Sequence, residues 1–123
     1  MSGFGLPTAL KTAGLDGTPF YAINSATTTP GSAKIVLTFT VPSGVTRTLH
    51  TLYFSCTMRG KMVVKSDGVI IGVGRTAPGK PDINFPFFPG KAISENKVVT
   101  VEFTARANSP IVDCDTQIMA TDK

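Results

Sequence analysis

The sequence predicts an all-β protein, a single-domain antiparallel β-sandwich or jelly roll with an extended N-terminal arm. Its 123 residues are the ordinary length of one domain. Thr, Val, Gly and Pro are frequent, which is a composition of strands and turns. Turn residues separate short runs in which apolar and polar residues alternate, the pattern of half-buried strands. A hydrophobic content of 41% and a mean hydropathy of +0.16 exclude general disorder.

Residues 1–32 are predicted to form an extended arm that has no core of its own. Glycines and prolines recur through this stretch, which ends in the polar run SATTTPGS. We expect its apolar side chains to dock on the domain itself or on a neighbouring molecule. They are Phe4, Leu6, Phe20, Tyr21 and Ile23. The sandwich domain is predicted to span residues 33–123.

Two alternating runs are predicted to open the domain as strands, joined by a turn at Pro42-Ser43-Gly44. In AKIVLTFTV the residues predicted to share one face are Ile35, Leu37, Phe39 and Val41. In RTLHTLYFSCTM they are His50, Leu52, Phe54, Cys56 and Met58.

KMVVKS and VIIGVGRT are predicted to form a hairpin, because Asp67-Gly68 between apolar runs is a strong two-residue turn signal. In the second run, Gly72 and Gly74 indicate a bulge or a close approach of another group to the backbone. The clearest strand is KVVTVEFTARA, where Val99, Val101, Phe103, Ala105 and Ala107 face one way. After a turn at residues 108–110, IVDCDTQIMA places Val112, Cys114, Thr116 and Ile118 on one face.

The segment INFPFFPGKAI, residues 83–93, is predicted to be an edge strand that leaves the sheet. Pro86 and Pro89 have no backbone N–H, and only an edge strand can do without that donor. The side chains of Phe85, Phe87 and Phe88 alternate imperfectly, so we expect at least one at the surface. Such an aromatic would serve as a subunit contact, or the segment would cap the end of the sandwich. The sequence leaves these alternatives open.

Two motifs that suggest nucleotide binding lack features that phosphate binding requires. GRTAPGKP, residues 74–81, approaches the phosphate-binding pattern GxxxxGK[ST], but Pro81 stands where a hydroxyl must ligate Mg²⁺. No helix can begin in the proline-rich segment that follows, so no helix N-terminus would face a phosphate. GVGRTA, residues 72–77, fails as a dinucleotide fingerprint for the same reason. Glycine and proline in a loop explain the pattern, and no cofactor is predicted.

No catalytic or metal-binding residue is predicted. His50 is the only histidine, which excludes a multi-histidine metal site, and its place in an alternating strand favours a structural or interfacial role. Asp113 and Asp115 are expected on a solvent-facing side of a sheet rather than around a cation. Cys56 and Cys114 are predicted to be small buried hydrophobes that stay reduced.

The net charge of +4 is mild but unevenly distributed. The basic residues in the middle of the chain are Arg47, Arg59, Lys61, Lys65, Arg75, Lys80 and Lys91, opposed there only by Asp67 and Asp82. The acidic residues toward the C-terminus are Glu95, Glu102, Asp113, Asp115 and Asp122. This asymmetry suits docking on an acidic surface. Nucleic acid is not a predicted partner, because aromatics do not interleave with the basic residues.

The first ten residues, MSGFGLPTAL, lack the basic start and apolar stretch of a signal peptide, and no apolar run is long enough to span a membrane. We therefore expect the chain to fold in a cytoplasm and to have no membrane partner.

Three phrases of the sequence resemble the small jelly-roll decoration, or cement, proteins of tailed-bacteriophage capsids. The first is AKIVLTFTVPSGVTRTLHTLYFS, in which a strand, "VPSG" and a second strand rich in Thr and Leu follow one another. The second is INFPFFPGKAISENKVVTVEFTARANS, and the third is IVDCDTQIMATD, which resembles a closing strand. The resemblance covers residues 33–122. Residues 1–32 match no motif of the family.

The resemblance implies a structural virion protein, not an enzyme, that binds the outer shell of a bacteriophage capsid as a homotrimer. Its partners would be the major capsid protein and itself, and it would be made in the host cytoplasm. The expected contacts are Phe4, Leu6, Phe20 and Tyr21 in the arm, then Phe85, Phe87 and Phe88. Deleting the arm is expected to leave the sandwich folded. Two alternatives stay open: a phage tail or fibre-tip module that binds a receptor, and a carbohydrate-binding β-sandwich.

Overall fold

The described part of the chain is built entirely of strands and their connections. The computed structural model describes residues 17–123, in which no helix occurs. Accordingly, no helix among these residues could cross a membrane. The strands are β1 (Thr18–Thr27), β2 (Ala33–Thr40), β3 (Arg47–Cys56), β4 (Gly60–Ser66), β5 (Val69–Thr76), β6 (Asp82–Ile93), β7 (Val98–Ala105) and β8 (Asp113–Asp122).

The eight strands form two four-stranded antiparallel sheets with the strand order of a jelly roll. The first sheet has the order β1-β8-β3-β6 and the second has the order β2-β7-β4-β5. The pairs β1·β8, β2·β7, β3·β6 and β4·β5 are those of one long hairpin folded across two sheets. Two sheets packed in this way bury their inner faces against each other. The predicted fold class is confirmed.

The core lies between the two sheets and is mainly apolar, with Thr116 among the few buried polar residues. Its centre is a contact between Phe54 of the first sheet and Phe103 of the second, with ring centroids 4.9 Å apart. The alternation predicted for β7 and β8 is confirmed, because Val99, Val101, Phe103, Ala105, Cys114, Thr116 and Ile118 are all buried. Ala107 lies beyond the end of β7 and is exposed.

Two predicted inward patterns are wrong where a bulge changes the face that the strand presents. In β2 the register shifts between Ile35 and Leu37, so Val36 and Leu37 are buried and Ile35 is exposed. In β3 the register shifts between Leu49 and Thr51, so Leu49 enters the core in place of His50. An extra residue in one strand breaks the period of two, and a periodicity count made on one strand cannot detect it.

The predicted boundary between arm and domain does not hold, because strand β1 begins at Thr18. This strand pairs with β8 along its whole length and forms an edge of the first sheet. Residues 18–27 of the predicted arm therefore dock on their own domain. Pairing satisfies the backbone groups along one edge of β8, which would otherwise lie open. Phe4 and Leu6 lie outside the described residues.

The β4–β5 hairpin agrees with its sequence signals. Asp67 and Gly68 have φ angles of 46° and 80° and connect Ser66 to Val69 as a two-residue turn. The predicted close approach of another group to the backbone at Gly72 and Gly74 is also confirmed. A Cβ atom on Gly72 would lie 3.0 Å from the ring of Phe85, and one on Gly74 would lie 2.9 Å from Cδ1 of Ile83. The two glycines let β6 of the first sheet pack closely over β5 of the second.

Candidate functional site

The solvent side of the first sheet carries most of the exposed aromatic side chains of residues 17–123. We call it the aromatic face and define it by Tyr21, Ile23, Tyr53 and Phe88. Their side chains are 51%, 70%, 37% and 93% exposed. Large apolar groups left in water cost free energy that a partner surface can recover on binding.

Strand register arranges this face as three rows, each with one residue from β1, β8, β3 and β6 in that order. The rows are Tyr21–Met119–Thr51–Pro86, Ile23–Gln117–Tyr53–Asn84 and Ser25–Asp115–Ser55–Asp82. Neighbouring strands lie about 4.8 Å apart, so each row is about 14 Å wide. The face is apolar and aromatic at one end and acidic at the other.

Two hydrogen bonds order the polar part of the aromatic face. The hydroxyl of Tyr53 donates to Oδ1 of Asp82 at 3.0 Å, which holds the tyrosine ring across the sheet. The hydroxyl of Ser25 donates to Oδ1 of Asp115 at 2.6 Å. Both carboxylates are exposed, as is Asp113, so the predicted solvent-facing side for Asp113 and Asp115 is confirmed. Within residues 17–123, no group of three or more His, Cys, Asp or Glu could hold a metal ion.

Phe88 lies in a segment of the edge strand β6 that is not paired with β3. Thr51 pairs with Pro86 and Leu49 pairs with Lys91, so residues 87–90 have no partner in β3. Phe87 turns inward and is 7% exposed, whereas Phe88 points into solvent. The prediction that this segment is an edge strand is confirmed.

Three other phenylalanines of the predicted contact set, all among residues 17–123, pack against the domain. Phe85 and Phe87 stack together with ring centroids 5.0 Å apart, and Phe87 belongs to the core. Phe20 contacts both the ring of Phe39 and the guanidinium of Arg47. Phe87 is buried, whereas Phe20 and Phe85 are partly buried against the core. Of the predicted contacts among residues 17–123, Tyr21 and Phe88 are therefore the most exposed.

Tyr53 belongs to the aromatic face but was not among the predicted contacts. Its signal was present in the sequence, since it occupies an outward position between the buried Leu52 and Phe54.

The polar and sulfur-containing residues singled out by the sequence have structural roles. Nε2 of His50 lies 2.8 Å from Oγ1 of Thr121, and partial burial lowers the pKa of the imidazole below 6.5. Cys56 and Cys114 are free and buried, as predicted, and stand directly opposite each other in the β3–β8 pair. The pKa of Cys114 is raised to about 12. Burial is the main cause, and a hydrogen bond with Cys56 is the second.

The glycine-rich stretch after β5 is a tight turn, as the loop interpretation predicts. Ala77 and Lys80 exchange two backbone hydrogen bonds. The N–H of Ala77 donates to the carbonyl of Lys80 with an N···O distance of 3.1 Å, and the N–H of Lys80 donates to the carbonyl of Ala77 at 2.8 Å. Strand β6 begins two residues later, so no helix N-terminus is available for a phosphate in this stretch.

Two basic residues of the middle segment have acidic partners from the C-terminal part of the chain. Arg47 is buried and paired with Asp122, and Lys65 lies 3.2 Å from a carboxylate oxygen of Glu102. The interpretation that only Asp67 and Asp82 oppose the basic residues is therefore wrong, because folding brings the distant carboxylates to them. The other five, which are all exposed, are Arg59, Lys61, Arg75, Lys80 and Lys91.

No protein-family model matches the chain, and no curated protein matches it either.

Proposed function

We propose that this chain is a structural virion protein that decorates and stabilises a bacteriophage capsid by binding its outer shell, as a homotrimer. The observation that carries the proposal is the aromatic face. A four-stranded sheet presents Tyr21 and Tyr53 to solvent in an orientation fixed by backbone pairing, and Phe88 projects from the unpaired part of its edge strand β6. The resemblance of residues 33–122 to capsid cement proteins is the reason for proposing a bacteriophage capsid as the partner.

The proposed mechanism is binding without chemistry. Each copy would bury the aromatic face against the shell and span neighbouring capsid subunits. Expansion of the shell under internal pressure would then have to expose these side chains to water again. Three copies held in one trimer would bind together, so modest contacts would add to a stable attachment.

Phe88 is the proposed centre of the contact. It is the most exposed large apolar side chain among the described residues. It protrudes from a part of β6 that has no partner in β3, so it can enter a pocket without disturbing the sheet. Buried aromatic anchors commonly supply most of the free energy of an interface.

The proposal is tested first by sedimentation equilibrium and then by co-sedimentation with particles. We expect a mass close to three times the 12.9 kDa of one chain. We also expect the protein to co-sediment with undecorated heads assembled from the major capsid protein of the same genome. Phe88→Ser should weaken this binding by about tenfold or more, the usual effect of losing an interface anchor.

Ile111→Ser is the matched control, because Ile111 is 70% exposed but lies in the connection before β8, outside the aromatic face. It should leave co-sedimentation unchanged. A monomer that does not bind the heads contradicts the proposal, and equal effects of the two variants exclude the aromatic face as the contact.

A carbohydrate-binding module is a second candidate, favoured by one observation. Both tyrosines of the chain lie on the same outer face, beside the polar side chains of Gln117 and Asn84. Aromatic rings stack on sugar rings, and amides bind their hydroxyl groups. A glycan array with the wild-type protein and a Tyr21→Ala/Tyr53→Ala variant separates the candidates. Glycan binding that the variant lacks would favour the module over the capsid protein.

A further inference from the structure

Four cationic side chains meet at one end of the second sheet, around two adjoining hollows. Lys61 lies on β4 and Arg75 on β5, while Arg59 precedes β4 and Arg106 follows β7. All four line the larger hollow, of about 610 Å³. Arg59 and Arg106 also line the smaller one, of about 410 Å³. We call these four residues the basic cluster.

The arrangement of Lys61 and Arg75 opposes folding. They are direct partners in the β4–β5 register, and both side chains are exposed. Like charges opposite each other on one face of an antiparallel pair destabilise it. An anion lying over the two strands would remove this repulsion, so the pair points to a ligand rather than to a contribution to stability.

The charge of the cluster is not compensated within residues 17–123. None of its four side chains makes an ion pair there, in contrast to Arg47 and Lys65. No Asp or Glu is among the residues that line the two hollows. Asp82 shares a neighbouring hollow with Arg75, but no ion pair joins the two, and its carboxylate accepts the hydrogen bond of Tyr53.

Hydrogen bonds hold the backbone beneath the cluster in place. The N–H of Arg106 donates to the carbonyl of Arg59 at 2.9 Å, which joins the two turns. The carbonyl of Arg106 accepts from the N–H and hydroxyl of Ser109, at 3.2 and 2.7 Å. The hydroxyl of Thr76 donates to the carbonyl of Met58 at 2.6 Å. A site whose frame is already ordered loses less entropy when it binds.

We propose that the basic cluster binds an acidic polypeptide segment. Guanidinium groups hold carboxylates through paired hydrogen bonds, and the cluster offers three of them. The remainder of the lining includes small or aliphatic side chains, which suit the apolar residues of such a segment. They are Met58, Ala77, Pro78, Ala105 and Ala107.

A polypeptide fits this lining better than a nucleic acid. No aromatic side chain lines either hollow, so unpaired bases would find no ring to stack on. The inference goes beyond the proposed function, because the basic cluster lies on the other sheet from the aromatic face. It holds whether or not the chain decorates a capsid.

The test is fluorescence anisotropy of a labelled oligoglutamate peptide titrated with the full-length protein at low salt. The wild-type protein should bind the peptide, and affinity should fall as ionic strength rises, since the contacts are exposed charge pairs. Lys61→Gln/Arg75→Gln should weaken binding by about tenfold or more. The same variant should have an equal or higher Tm, because it removes the repulsion between the two strands.

The matched control is Lys91→Gln/Lys97→Gln, which changes the net charge equally. These two lysines line a different hollow, of about 150 Å³. The control should keep its affinity within about twofold, since distant exposed charges are largely screened. Single-stranded DNA of equal charge should displace the labelled peptide less effectively than unlabelled oligoglutamate does.

Three results would overturn the proposal. The first is that the wild-type protein fails to bind the peptide at low salt. The second is an equal loss of affinity in the two double variants, which would mean that only net charge matters. The third is stronger competition by DNA, which would assign the cluster to nucleic acid.

Discussion

The guanidinium of Arg47 makes two hydrogen bonds to the carboxylate of Asp122, from Nε to Oδ1 at 2.6 Å and from Nη2 to Oδ2 at 2.8 Å. The same guanidinium lies 3.4 Å from the centroid of the Phe20 ring. Phe20 in turn contacts Phe39 of the second sheet, with centroids 5.1 Å apart. This chain of contacts joins β3, β8, β1 and β2 and closes one end of the sandwich.

Arg47→Met should lower the free energy of unfolding by about 3 kcal/mol, because it leaves a partly buried carboxylate without its partner. Urea denaturation measures the change. The control is Lys65→Met, which breaks the more exposed ion pair with Glu102. It should cost about 1 kcal/mol or less. Equal losses in the two variants would contradict the structural role of the Arg47–Asp122 pair.

The adjacent phenylalanines Phe87 and Phe88 should respond to the same substitution with losses of stability of very different size. Phe87→Ala should lower the free energy of unfolding by about 3 kcal/mol, because it leaves a cavity in the core. Phe88→Ala should change it by about 0.5 kcal/mol or less, since the side chain is almost fully exposed. Thermal and urea denaturation of both variants check this. A large loss in the Phe88 variant would mean that its ring packs on the domain in solution.

Thr116→Val should stabilise the protein by about 1 kcal/mol. The hydroxyl of Thr116 is buried in the core and has no hydrogen-bond partner among residues 17–123. Burial of an unsatisfied hydroxyl costs about 1–3 kcal/mol, and a methyl group of similar size removes this cost. A higher urea midpoint with an unchanged slope is the expected result. Destabilisation by Thr116→Val would indicate that the hydroxyl has a partner, such as a buried water.

Stability should fall in alkaline solution through the titration of Cys114. Its pKa is about 12 in the folded state against an ordinary value of 9.0, so the unfolded chain loses the proton first. The contribution of Cys114 is therefore complete below pH 9.0 and declines as the pH rises toward 12. Urea denaturation across this window should show a smaller decline in Cys114→Ala than in the wild-type protein. Parallel declines would contradict the prediction.

Removing residues 1–16 should leave the protein folded, whereas removing strand β1 as well should not. Residues 17–123 contain all eight strands of the sandwich, so a chain that begins there should fold. A chain that begins at residue 33 lacks β1, which leaves β8 as an unpaired edge and removes Phe20 from Arg47. We expect it to aggregate or unfold, in contrast to the expectation from the sequence. Circular dichroism and gel filtration of the two chains provide the comparison.

The sequence was sufficient for the fold class and for most of the inward-facing residues. Alternation in β7 and β8 predicts burial correctly, because a strand without a bulge keeps a strict period of two. Asp67-Gly68 defines its hairpin by local turn geometry alone. Pro86 and Pro89 identify an edge strand, since the missing N–H is a property of the residue itself.

Only the tertiary structure decided which surfaces remain free. The bulges in β2 and β3 arise from pairing with neighbouring strands, so they moved Ile35 and His50 away from the core without a local signal. The pairs Arg47–Asp122 and Lys65–Glu102 join residues far apart in the chain. The basic cluster and the aromatic face likewise exist only through register, because each gathers side chains from several strands. Strand patterns are local properties, whereas faces are made by the pairing of distant segments.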